Sequence, residues 1–219
     1  MPQTRPGQPS HPAPRAGGDE AGYNPAVQST AWSCAVSIAS PSLDALRETF
    51  PDDFKDTKLN LASVLAGENL ADGQAWGVAL ASARFLRAPR LAAALEADLR
   101  AGLGDPAAAV VSDATAAAGL MAMNTVYYRF RHMIGKESYA SRPPRLRMQR
   151  MAKPATSAVD FELMSLACAA LAGCEFCLQN HEAKIVAEGT SEEACHDAVR
   201  IAAVVAAGAL ATDAGSAGG

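Results

Sequence analysis

The chain has 219 residues, 49% of them apolar and 19% charged, with a formal net charge of -4. That is enough apolar material to bury a core without staples, and it lacks the basic surplus by which a protein holds nucleic-acid phosphates. Five cysteines, Cys34, Cys168, Cys174, Cys177 and Cys195, make an odd set in a chain too large to depend on disulfides, which points to a reducing compartment, the cytoplasm, and a working thiol pair.

Residues 1–41 open with MPQTRPGQPSHPAPRAGG and are rich in Pro, Gly and Ser. They hold too few large apolar side chains to offset the entropy of ordering them, so a disordered extension is expected there. The apolar stretch STAWSCAVSIAS lies too far along, without a compact basic start, to read as an export signal.

From Ser42 the pattern is helix after helix. Segments such as DATAAAGLMAMN and HDAVRIAAVVAAGALA are dense in Ala, Leu and Met, and nothing shows the alternation of a strand. The fold class is all-α, with a first helical half over 42–135, a connector over 136–157, a second half over 158–212 and a flexible tail over 213–219. Asp105 with Pro106 reads as a helix start and Thr190 with Glu193 as a capping box, while Gly104 and Gly189 mark helix ends. The most apolar run, RIAAVVAAGALA, is too short for a membrane span and reads as a buried helix.

Laying WGVALASARFLRAPRLAAALEA over ELMSLACAALAGCEFCLQNHEA suggests an internal repeat. Trp76, Ala88, Leu91 and Leu95 then occupy the places of Glu162, Cys174, Cys177 and His181, so the first copy is expected to be a packing partner without chemistry. The connector, GKESYASRPPRLRMQRMAKPATS, is broken by prolines, and its Arg142, Arg145, Arg147, Arg150 and Lys153 read as a solvated basic face.

The stretch AGCEFCLQNH holds the residues that carry chemistry. A buried helix starting near Ser157, with Asp160 completing its cap, is expected to end at Gly173. Glu162 is its conspicuous polar residue, and a buried carboxylate needs a partner or a proton. A second helix restarting after Gly173 places Cys174 and Cys177 in its first turn, where free amides and the helix dipole favour a thiolate. Lowering a thiol pKa from about 8.5 to about 7 raises the thiolate fraction at neutrality about fifteenfold. His181 follows Cys177 by one turn, so the three project from one face, and Glu162 is placed to orient the imidazole.

Three readings of these residues stand side by side: a dithiol redox centre, a zinc-binding interaction domain in which Cys195 and His196 complete the ligand set, and inert core cysteines. Cys168, flanked by alanines, reads as core.

Glu162, Cys174, Cys177 and His181 resemble, position for position, the signature of the alkyl hydroperoxide reductase AhpD family, and segments from FPDDFKDTKLNL to FELMSLACAALAGCEFC resemble that family over nearly all of Ser42 to Ala211. The resemblance implies two related helical halves with only the second catalytic, assembled as a homotrimer. It also implies a redox disulfide between Cys174 and Cys177, with Cys177 the peroxide-attacking thiol and Cys174 the resolving one. No tightly bound cofactor is implied. Electrons are expected from a lipoyl-bearing protein, and the partners are organic hydroperoxides, reduced weakly, and an oxidised AhpC-type peroxiredoxin. Neither nucleic acid nor membrane is implied. Phe176 departs from the family pattern, which often has a histidine there, and leaves proton transfer to His181 and Glu162. A carboxymuconolactone decarboxylase-like enzyme on the same scaffold is a further reading, one that has no use for the dithiol.

Overall fold

A computed structural model describes residues 38–216. Cys34 and most of the expected N-terminal extension lie outside the described residues. Ten α-helices, and no strand, make up the described chain: α1 (Pro41–Arg47), α2 (Lys55–Ser63), α3 (Asp72–Phe85), α4 (Pro89–Leu103), α5 (Ala107–Ile134), α6 (Glu137–Ala140), α7 (Gln149–Ala152), α8 (Ala158–Ala172), α9 (Glu175–Ala187) and α10 (Glu192–Ser216), with a 3-10 turn at Asp52–Phe54 before α2.

The most buried helices are α3 and α8, whose residues are small and apolar on nearly every face. They pack against each other and against α5 and α10. Small residues let the backbones approach. A side chain at Gly77 of α3 would fall 2.5 Å from Met164 of α8 and 3.0 Å from Val110 of α5. The helix α10 is long and apolar enough to cross a membrane, but it is a core helix here, burying Ala198, Ile201, Ala202 and Val205.

The internal repeat is visible bond by bond. Helices α3, α4 and α5 correspond to α8, α9 and α10. The turn between α3 and α4 closes with Ala88 N donating to Ala83 O at 3.0 Å, and its counterpart with Cys174 N donating to Ala169 O at 3.1 Å. Arg87, at φ 58°, holds the left-handed position that Gly173 holds at φ 63°. The Gln74 amide donates to Asp160 Oδ1 at 2.7 Å, joining the two matching positions at the helix starts, 86 residues apart. The halves share one core cluster.

Trp76, Ala88, Leu91 and Leu95 are all buried. The helices before α3 cover them. Asp98 of α4, 1% exposed, accepts hydrogen bonds from the backbone N–H groups of Ser42 (3.0 Å) and Leu43 (2.8 Å), which docks α1. Leu61 of α2 converges with Leu91 at Gly208 of α10. Before α8, the same place in the chain is held only by the short α6 and α7, so that side stays open.

Several local expectations are corrected. Within the segment expected to be a disordered extension, Ile38 is buried against Gly102, and α1 begins at Pro41. Ser191 caps α10 by accepting from Ala194 N at 3.3 Å; Thr190 is taken by the end of α9, where its N–H bonds Ile185 O at 3.2 Å. Asp105 and Pro106 form a turn, and α5 starts without a side-chain cap. The last helix continues past Thr212 to Ser216, because Ser216 Oγ bonds Thr212 O at 2.8 Å and Gly215 packs closely on the Thr49 carbonyl. In the connector Arg150 is no solvated residue: it bonds Asp113 Oδ1 at 2.6 Å and Ser112 Oγ at 2.9 Å.

Replacing Asp98 with Ala strands two N–H groups at the start of α1. Urea unfolding should show a loss of about 2 kcal/mol, and an unchanged midpoint would contradict the docking role of Asp98.

Candidate active site

The helix bearing Glu162 starts as the sequence pattern predicts. Ser157 Oγ accepts from Asp160 N at 3.0 Å, and the Asp160 carboxylate returns a bond to Ser157 N at 3.3 Å. It ends at Gly173, whose left-handed φ turns the chain back into α9. Cys174 is the N-cap of α9, its sulfur facing Cys177 N at 3.4 Å, so both sulfurs sit among the unpaired amides of the first turn. The two sulfurs are bonded to each other, with Cα atoms 5.3 Å apart.

The four residues singled out from the sequence come together here. His181 Nδ1 is hydrogen-bonded to Glu162 Oε2, across the turn from α9 to α8. The second carboxylate oxygen, Oε1, accepts from Lys184 Nζ at 2.9 Å. Burial by itself would raise the Glu162 pKa. The hydrogen bonds from His181 and Lys184, with their charges, outweigh it and hold the carboxyl below its ordinary value of 4.5.

Cys177, His181, Glu162 and Lys184 line one cleft of about 510 Å³. Its other walls come from Asn124 and Tyr128 of α5, Met148, Met151 and Ala152 at α7, and Phe176 and Asn180 of α9. Phe176 stacks on Tyr128 with ring centroids 5.5 Å apart, which makes this part of the cleft an aromatic, apolar wall. The two cysteines are not equivalent. Cys177 opens on the cleft, whereas Cys174 is fully buried behind it.

Residues outside the cleft behave differently. Cys168 is fully buried, its thiol facing Ala81 O at 3.9 Å, and burial pushes its pKa far up. Cys195 and His196 line a separate groove with Leu178 and Glu182, on another face of α9, and so do not join the cleft residues. Burial, reinforced by Glu182 and Glu192, raises the Cys195 pKa. Among the described residues no group of three or more His, Cys, Asp or Glu is arranged to hold a metal ion.

Sequence reasoning missed Lys184, Asn124, Tyr128, Met148 and Met151. Lys184 carried a signal, since it follows His181 by three positions and so shares its helix face. Asn124 and Tyr128 carried none, because only tertiary packing brings α5 to the cleft.

Comparison with known proteins gives a consistent result. The family model named Carboxymuconolactone decarboxylase family matches residues 138–217. The chain is 55% identical over 172 residues to "Alkyl hydroperoxide reductase AhpD" of Anaeromyxobacter sp. (strain K), covering 78% of this chain and 91% of that protein. It is 54% identical over 177 residues to the protein of the same name from Anaeromyxobacter sp. (strain Fw109-5), covering 81% and 94%. The match to that of Rhodopseudomonas palustris (strain BisB18) is 43% over 176 residues, covering 80% and 96%.

The lowered Glu162 pKa sets a sign for acid sensitivity. The stability from its ionised form is fully present above about 4.5 and is lost as pH falls through the lower folded value. In E162Q that contribution is missing at every pH. The wild type should therefore be more stable than E162Q by about 2 kcal/mol near neutrality, and the gap should close on acidification; a gap independent of pH would contradict the pairing.

Proposed function

The chain belongs to the AhpD family of alkyl hydroperoxide reductases, and we propose that it is an antioxidant thiol-disulfide oxidoreductase in which Cys177 attacks organic hydroperoxides and Cys174 resolves the product. The observation that carries this reading is the asymmetry of the pair. Cys177 faces the cleft beside His181, and Cys174 is sealed behind it at bonding distance.

The chemistry follows from the placement. The bond from Glu162 occupies His181 Nδ1 and leaves Nε2 for proton exchange. With the pair reduced, His181 takes the Cys177 proton, and the thiolate attacks the terminal peroxide oxygen. The O–O bond breaks, Cys177 becomes a sulfenic acid, and the departing alkoxide takes the proton from His181 to leave as an alcohol. Cys174 then attacks the Cys177 sulfur, releasing water and forming the disulfide. That second step outruns further oxidation because the resolving thiol is already in contact.

Two electrons from an external dithiol restore the pair by exchange. A lipoyl group on a carrier protein suits this step: the cleft, walled by Tyr128, Phe176, Met148 and Met151, accepts a slender apolar arm. In the reverse sense, the reduced pair passes electrons to the disulfide of an AhpC-type peroxiredoxin presented on a projecting segment. Assembly as a homotrimer gives a role to the exposed apolar residues Val126, Phe130 and Met133 of α5. A reducing, cytoplasmic setting fits a pair that works as a dithiol.

A decarboxylase reading draws on the name of the matched family model. It leaves the dithiol unused. Lactone decarboxylation surviving in a C174S/C177S double variant would favour it.

With hydroperoxide and a dithiol donor, C177S should have no turnover, and H181Q, assayed at a temperature where it stays folded, should fall about 100-fold. Full turnover by C177S, followed as donor oxidation, would overturn the assignment.

A further inference from the structure

Lys184 is the one lysine or arginine lining the cleft, and the thiol and acid–base steps above leave it without a part. Its side chain is 55% exposed, whereas Glu162 and His181 are 12% and 7% exposed. An exposed lysine on a helix gains little from a pairing in water and loses rotamer freedom by it. This one nevertheless turns back over α9 to meet a carboxylate that already serves a histidine.

We propose that Lys184 is a positioning residue for the thiol centre: by binding Glu162 Oε1 while His181 Nδ1 binds Oε2, it fixes the carboxylate's plane and keeps the exchangeable proton on the imidazole. The inference rests on the reading of Cys177 as the reacting thiol. A carboxylate bonded through one oxygen only is free to rotate about its last torsion, and the imidazole swings with it. Bonded through both, it holds the ring on one bearing, with Nε2 kept for the cleft. The charge works in the same direction. Desolvation favours protonating Glu162, and a carboxyl that takes the His181 proton removes the acid needed for the leaving alkoxide. The ammonium of Lys184 opposes that transfer.

The surroundings leave few other groups to account for pH dependence. The wall from α5 brings Asn124 and the Tyr128 phenol, over whose ring the Arg131 guanidinium lies 5.9 Å from the centroid; the connector brings Met148, Met151 and Ala152, α8 brings Glu162, and α9 brings Asn180 and Lys184 itself. Arg150, next to Met151 in the connector, is bonded to Asp113. Removing the Lys184 charge therefore takes away the cation that favours loss of a proton from the Cys177–His181 unit. The sign is the same whichever of the two gives up the proton first.

The test is the pH profile of Cys177 alkylation by iodoacetamide in the fully reduced protein, mapped by mass spectrometry, for wild type, K184M and K184R. The acid limb should move up by about 0.5–1 pH unit in K184M and return in K184R. Hydroperoxide-driven oxidation of Cys177, measured in parallel, should show the same displacement. An acid limb unmoved in K184M, or moved equally in K184R, overturns the role of Lys184. Failure of the proposed function looks different: the alkylation shift is present, but the wild-type protein does not consume hydroperoxide.

Discussion

A single carboxylate, Glu162, spans the turn between α8 and α9, and the site depends on that bridge. The two helices are folded back on each other at Gly173, whose left-handed backbone lets His181, in the middle of α9, meet Glu162 in the first half of α8. The fold alone places an acid near an imidazole. The hydrogen bond from His181 Nδ1 to Glu162 Oε2 turns proximity into a defined orientation, the one the proposed function needs of a base that faces the cleft. With the two sulfurs at the first turn of α9, the same local geometry supplies the free amides and the sulfur–sulfur contact on which the proposed thiol chemistry draws.

The repeat explains why one scaffold carries one site. Both halves have the same helix pair and the same left-handed turn, yet the first has Trp76, Leu91 and Leu95 where the second has Glu162, Cys177 and His181. Substitution alone would leave a greasy cleft open to water. The α1 and α2 helices cover that side, α1 anchored through Asp98 and α2 packing Leu61 beside Leu91. In the second half the equivalent stretch is the proline-broken connector, too irregular to cover the site, and Asp113 holds it at the rim by accepting from Ala155 N, Thr156 N and Arg150. Met148 and Met151 are thereby held as a wall of the cleft while access remains.

What was legible in the sequence was what depends on neighbours in the chain. The Ser157–Asp160 cap, the stop at Gly173, the shared face of Cys177 and His181, and the polar exception of Glu162 all follow from spacing and residue type, whereas Cys174 lies behind that face as the N-cap. The boundary errors have the same local origin: Thr190 and Ser191 are both able to cap, and the choice fell to Ser191 because Thr190 closes the preceding helix. The far wall of the cleft was not legible. Asn124 and Tyr128 look like ordinary residues of a long helix until α5 is packed across α8 and α9. Arg150 likewise reads as one of a basic cluster, and only the buried Asp113, thirty-seven positions earlier, shows it to be an anchor.

The account requires the cysteine that faces the cleft, and not the one buried behind it, to meet the oxidant. Reduced protein exposed to one equivalent of an organic hydroperoxide in the presence of a sulfenic-acid trap, then mapped by mass spectrometry, tests this directly. The adduct should form on Cys177. An adduct confined to Cys174 would contradict the assignment of roles and, with it, the function of His181 as the base for the attacking thiol.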